Sequence, residues 1–108
     1  MLESLLRAAQ ALRASDIHLS AGIPPMVRVD GALQALEATA LGNAPIRAMI
    51  DSVLPESQRR QFADGAACDF AFGVEGLGRY RANAYRQQRG VGLALRPIPD
   101  TVPTLEAI

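Results

Sequence analysis

From residue 67 onward the chain alternates with a period of two, and this pattern limits the fold more than any other feature. Cys68, Phe70, Phe72 and Val74 fall on one side, and Asp69, Ala71, Gly73 and Glu75 on the other, as in a strand with one buried face. Gly76-Leu77-Gly78 turns the chain. Two longer strands follow, roughly 79 to 87 and 91 to 97, separated by a turn near Gln88-Arg89-Gly90. Successive strands joined by short turns lie side by side and run antiparallel.

The last two strands allow a register to be read. If their loop has an even number of residues, Gln87 pairs with Gly90 and every other pair follows. Arg81 then faces Arg96, Asn83 faces Ala94 and Tyr85 faces Gly92, all on one side. Tyr80, Ala82 and Ala84 meet Pro97, Leu95 and Leu93 on the other. A slip of one residue would carry Leu93 and Leu95 to the arginine side, so the apolar sorting supports this register.

Directly opposed side chains have Cβ atoms roughly 5 Å apart, and like charges there are destabilising. At an effective dielectric near 20, the repulsion is about 3 kcal/mol before solvent and splayed side chains reduce it. An anion between the two guanidinium groups relieves it, and phosphate matches the guanidinium fork bidentately. Ala94 and Gly92 leave room for one. The alternative is that the arginines splay into water or pair with Asp69 and Glu75 on the neighbouring strand. Spacing alone leaves both readings open.

Charge is balanced overall, with eleven basic and eleven acidic residues, but every basic residue is arginine. Without lysine there is no Walker A loop, G-x-x-x-x-G-K-[ST], and no lysine-based catalysis. Five arginines and no Asp or Glu lie between Arg79 and Arg96. Such a local excess calls for water or an anionic partner. Zero net charge and only three Phe and two Tyr argue against a nucleic-acid surface.

The first half supplies helices and short strands. Leu2, Leu5, Leu6, Ala9 and Leu12 form the apolar stripe of a helix over residues 2 to 13. Ile17 and Leu19 then alternate with Asp16, His18 and Ser20, as in a short half-buried strand. Gly22-Ile23-Pro24-Pro25 forces a corner. Val27 and Val29 mark a second strand, Asp30-Gly31 a hairpin turn, and Ala32 to Glu37 its return. Asn43 suits a helix N-cap with Pro45 in the first turn, and Ile46, Met49, Ile50 and Val53 form that helix's stripe. A further helix starts near Pro55 and stops at Gly65. This order predicts an α+β fold: an antiparallel sheet with helices packed on one side, in a PAS-like arrangement.

Other chemistry is sparse. Cys68 is the only cysteine, so it makes no intrachain disulfide and reads as a small buried hydrophobe. His18 stands alone, without the ligands of a zinc site, and reads as a structural hydrogen-bonding residue. Asp16 and Ser20 share its side, but nothing signals a nucleophile or an oxyanion hole. No apolar run approaches the roughly 18 residues that would span a bilayer. The N-terminus lacks the basic and apolar regions of a secretory signal, which makes the cytoplasm the expected location.

The run Ala14-Ser15-Asp16-Ile17-His18-Leu19-Ser20-Ala21-Gly22-Ile23-Pro24-Pro25-Met26-Val27-Arg28-Val29-Asp30-Gly31 resembles the N-terminal signature of PilT-type pilus-retraction ATPases. Asp69-Phe70-Ala71-Phe72, Gly78-Arg79-Tyr80-Arg81-Ala82-Asn83-Ala84-Tyr85, Leu95-Arg96-Pro97-Ile98-Pro99 and Pro103-Thr104-Leu105-Glu106 extend the resemblance along the chain. It implies a PAS-like N-terminal domain over 1–98 and, over 99–108, the start of a linker to a RecA-like P-loop ATPase domain. It implies a homohexamer at the cytoplasmic face of the inner membrane, whose partners are the C-terminal ATPase domain, neighbouring subunits and the pilus machinery. ATP and Mg²⁺ would belong to the full-length protein, with no catalytic residue or cofactor in this chain. Arg81 and Arg96 would reach the phosphates of ATP bound between the two domains, with Arg79 a weaker candidate. A paralogue, a related type II or type IV secretion ATPase, and a stand-alone PAS-like sensor remain as rivals. The sensor would need a cavity lined by residues such as Phe70, Phe72 and Leu93.

Overall fold

The computed structural model describes residues 2–99. Its elements run α1 (Leu2–Ala11), β1 (Asp16–Ser20), β2 (Met26–Val29), β3 (Ala32–Ala35), α2 (Asn43–Val53), α3 (Glu56–Ala63), β4 (Cys68–Val74), β5 (Gly78–Gln87) and β6 (Gly90–Ile98). The six strands form one sheet in the order β3-β2-β1-β6-β5-β4, and every pairing is antiparallel. The last strand returns to the first, so β1 and β6 join the two halves of the chain at the middle of the sheet. The α+β class predicted by the residue pattern is the class found.

One face of the sheet is covered. Ile17, Leu19, Val27, Tyr80, Ala84, Leu93 and Leu95 are buried in one cluster with Leu5 and Leu6 of α1, Ile46 and Ile50 of α2, and Phe62 of α3. Burying each large aliphatic side chain contributes about 1.5–3 kcal/mol, which is why the alternation fixes which face turns inward. Tyr80 packs inward and stacks on Phe72, with ring centroids 5.6 Å apart. Cys68 is buried as expected.

Turn chemistry does the local work. Asp30 and Gly31 both take positive φ, 53° and 84°, the pairing that matches the twist of a two-residue hairpin. Helix α3 stops at Gly65 (φ 103°), where the Gly65 N–H donates to the Phe62 carbonyl and the Ala66 N–H to the Gln61 carbonyl. This is the paired Schellman closure.

Several expectations are corrected. Helix α1 ends at Ala11, not Arg13, and Leu12 is 40% exposed instead of lying in the apolar stripe. Arg13 adopts φ 59°, so that its N–H reaches Gln10 O and the Ala14 N–H reaches Ala9 O; the same closure is built here on arginine. Strand β3 stops at Ala35, and all four of its residues are exposed at the sheet edge.

Asn43 is not a cap. Gly42 holds that position without a side-chain bond, while Asn43 Oδ1 accepts the Val91 N–H at 2.9 Å. Phe70, Phe72 and Leu93 do not line a shared ligand cavity: Phe72 tilts on Phe70 and stacks on Tyr80, and Leu93 is completely buried. The linker read over 99–108 lies, from residue 100 on, outside the described residues. Among the described residues no helix is long and apolar enough to cross a membrane.

Candidate functional site

The uncovered face of the sheet carries the polar chemistry. Gln87 pairs with Gly90, and Arg81 faces Arg96, the register that the alternation predicts. The two-residue turn Gln88-Arg89 sets it locally. Arg81 is opposed on its other side by Ala71 of β4. Arg96 continues toward β1, where Ile17 pairs with Leu95 and Asp16 falls next to Arg96. Asp16 in turn pairs with Arg28 of β2. A single row therefore crosses the sheet as Arg28, Asp16, Arg96, Arg81 and Ala71.

This row runs through an open depression of about 640 Å³, lined among others by Asp16, His18, Asp69, Arg81, Asn83 and Arg96. Small residues keep its floor low, with Ala94 opposite Asn83 and Ala71 opposite Arg81. Next to it, the Tyr85 ring lies flat across Gly92, where any Cβ would collide with it.

Arg96 is engaged. Its Nε–H and Nη2–H donate to Asp16 Oδ1 at 3.0 and 2.8 Å. The arginine side chain is 70% exposed and the aspartate only 15%. Asp16 Oδ2 accepts the Ser15 hydroxyl at 2.9 Å and lies 3.8 Å from Arg28 Nε. The hydrogen bond from Arg96 holds the Asp16 carboxyl below its ordinary pKa; burial opposes the shift and the Ser15 hydroxyl assists it. The carboxylate also offsets part of the repulsion between the two opposed arginines.

Arg81 is exposed and makes no hydrogen bond or ion pair among the described residues. Arg79 shares its side but pairs with Ile98 and Gly73. Its side chain lies over Gly73 and does not line the depression. The five-arginine segment is therefore not uniform. Arg86 donates to the Phe62 carbonyl at 2.6 Å, with its guanidinium 4.7 Å from the Phe62 ring centroid. Arg89 donates to the Gly22 carbonyl at 3.4 Å. Two of the five thus serve the fold, one is ion-paired, and Arg79 and Arg81 remain.

The carboxylates named as alternative partners are not used that way. Asp69 accepts from Asn83 Nδ2 at 2.9 Å, and Glu75 makes no ion pair among the described residues. The partner that sequence reasoning missed is Asp16. Its alternation with Ile17 and Leu19 was visible, but the pairing of β1 with β6 carries no local signal. His18 lines the depression and makes no side-chain hydrogen bond among the described residues, so the structural bond expected of it is not seen. No group of three or more His, Cys, Asp or Glu among them is placed to hold a metal ion.

The fold resembles the N-terminal domain of PilT, and the chain is homologous to the N-terminal region of PilT and PilU. It is 39% identical over 107 residues to the type IV pilus retraction ATPase PilT of Pseudomonas aeruginosa, covering 99% of this chain and 31% of that protein. It is 38% identical over 106 residues to the type IV pilus ATPase PilU of the same organism, covering 98% and 28%. The crystal structure of the pilus retraction motor PilT with bound ADP superposes with a TM-score of 0.86 at 36% identity, covering 97% of this chain and 31% of that one. The chain thus spans about a third of the length of the curated relatives it matches. No family model matches it.

Proposed function

We propose that this domain is the N-terminal regulatory and assembly domain of a hexameric ATPase that powers type IV pilus retraction. In this reading ATP and Mg²⁺ are held by a following RecA-like domain, and Arg81 and Arg96 reach the ATP phosphates from the open face of the sheet. The observation that carries it is the direct opposition of these two arginines at one depression, with Arg81 lacking a carboxylate partner among the described residues. Guanidinium groups in this arrangement can bind phosphate oxygens bidentately. Attraction that is stronger for ATP than for ADP would couple hydrolysis and phosphate release to a rigid-body movement of the domain.

The relatives support the class of machine. Their nearly equal identities, 39% to PilT and 38% to PilU, favour keeping a PilU-type paralogue as the second reading. The test is steady-state ATP turnover of the full-length protein. Arg81→Ala and Arg96→Ala should each lower it by about tenfold or more, with unfolding midpoints close to the parent. Near-normal turnover in both variants would overturn the phosphate-sensing role.

A further inference from the structure

We infer that Asp16 is a positioning residue for Arg96: it fixes the guanidinium so that the edge turned away from β1 is presented to a phosphate. This rests on the phosphate-binding reading above and adds a residue to it. A guanidinium has five N–H donors in a rigid plane. Arg96 spends the Nε–H and one Nη2–H on a single oxygen, Asp16 Oδ1. One Nη1–H and the second Nη2–H lie parallel on a separate edge, and that edge is a complete bidentate fork for phosphate.

The carboxylate is itself fixed from behind. Its Oδ2 takes the Ser15 hydroxyl and faces Arg28 Nε, and the Ser15 N–H donates to the Arg28 carbonyl at 2.9 Å. Asp16 is therefore fixed by Ser15 and faced by Arg28 of β2, on the oxygen that Arg96 does not use. The row holds three guanidinium groups against one carboxylate, which leaves it net positive for an anion. Ordering Arg96 in advance spares rotamer entropy that a free side chain would lose on binding. Arg81 has no such support among the described residues, so the two opposed arginines differ: Arg96 is set in place and Arg81 moves to the ligand.

The test uses the full-length protein and a double-mutant cycle on ATP turnover. Asp16→Asn should lower turnover by about five- to tenfold, and the Asp16→Asn/Arg96→Ala double variant should be no worse than Arg96→Ala alone. A purely structural aspartate would instead give losses that multiply. If Arg96→Ala impairs turnover while Asp16→Asn matches the parent, the positioning role is overturned and the phosphate reading stands. If Asp16→Asn raises turnover, the aspartate competes with phosphate, which also overturns it. If Arg81→Ala and Arg96→Ala are both normal, the phosphate reading itself is lost.

A second measurement needs no turnover. The Arg96 Nε–H resonance of ¹⁵N-arginine-labelled protein without nucleotide should be shifted and slow to exchange with water. It should move to the position of exposed arginines in Asp16→Asn. A resonance already at that position in the parent would overturn the positioning role even if an Asp16 variant fails to fold.

Discussion

Asn43 Oδ1 accepts the backbone N–H of Val91 at 2.9 Å, tying the first residue of α2 to the start of β6 across 48 residues of chain. The same side chain occupies the space that a Cβ on Gly90 would need. Gly90 has φ 141°, so this corner requires glycine on two counts.

Removing the Asn43 side chain leaves a donor on a buried residue without a partner. Asn43→Ala should therefore cost about 1–3 kcal/mol, read as a lower urea midpoint with an unchanged slope. A change within experimental scatter would show that water replaces the bond.

Arg13 closes α1 in a left-handed conformation that glycine adopts without strain. Arg13→Gly should stabilise the domain by up to about 1 kcal/mol. Gly65→Ala, at the matching position after α3, should destabilise by about the same amount or more. Both are measured by equilibrium unfolding, and opposite signs are the expected result.

Arg86 and Arg81 lie on the same strand but have different surroundings. Arg86→Ala removes the 2.6 Å bond to the Phe62 carbonyl and the contact over the ring, and should cost about 1–3 kcal/mol. Arg81→Ala should change stability by no more than about 0.5 kcal/mol, because the side chain is exposed and opposed by another arginine. A large loss in Arg81→Ala would reveal a structural duty that its surroundings do not show.

The depressed pKa of Asp16 makes a statement about acid. The group binds its proton less readily folded than unfolded, so its stabilising contribution is complete above the ordinary value of 3.8 and is lost as pH falls through the lower folded value. Arg96 is largely exposed, so the contribution is screened and small. Unfolding midpoints of the native protein should fall more steeply below pH 4 than those of Asp16→Asn. Parallel curves for the two proteins would count against a folded-state ion pair.

Much of the site was legible because it is made by a hairpin. The turn between Gln87 and Gly90 and the alternation of Tyr80, Ala82, Ala84, Leu93 and Leu95 place Arg81 opposite Arg96. The burial of one face rules out a one-residue slip, and the two-residue turn sets the register that is found. The buried Cys68, the Asp30-Gly31 turn and the stop at Gly65 were legible on the same local grounds. The end of α1 was misread because Leu12 keeps the apolar spacing, and Asn43 because generic preference names a residue type for a helix start; packing decides where the helix stops and what the side chain reaches.

By itself, then, the sequence determined which strands are neighbours in the final meander, which of their faces is apolar, and that two arginines meet there. Only the tertiary structure decided that β1 lies against β6, which seats Asp16 beside Arg96 although 80 residues of chain separate them. The physical reason is that a hairpin's register is set by its own turn. The pairing of distant strands is chosen by the whole core, as Ile17, Leu19, Leu93 and Leu95 are buried together under the helices.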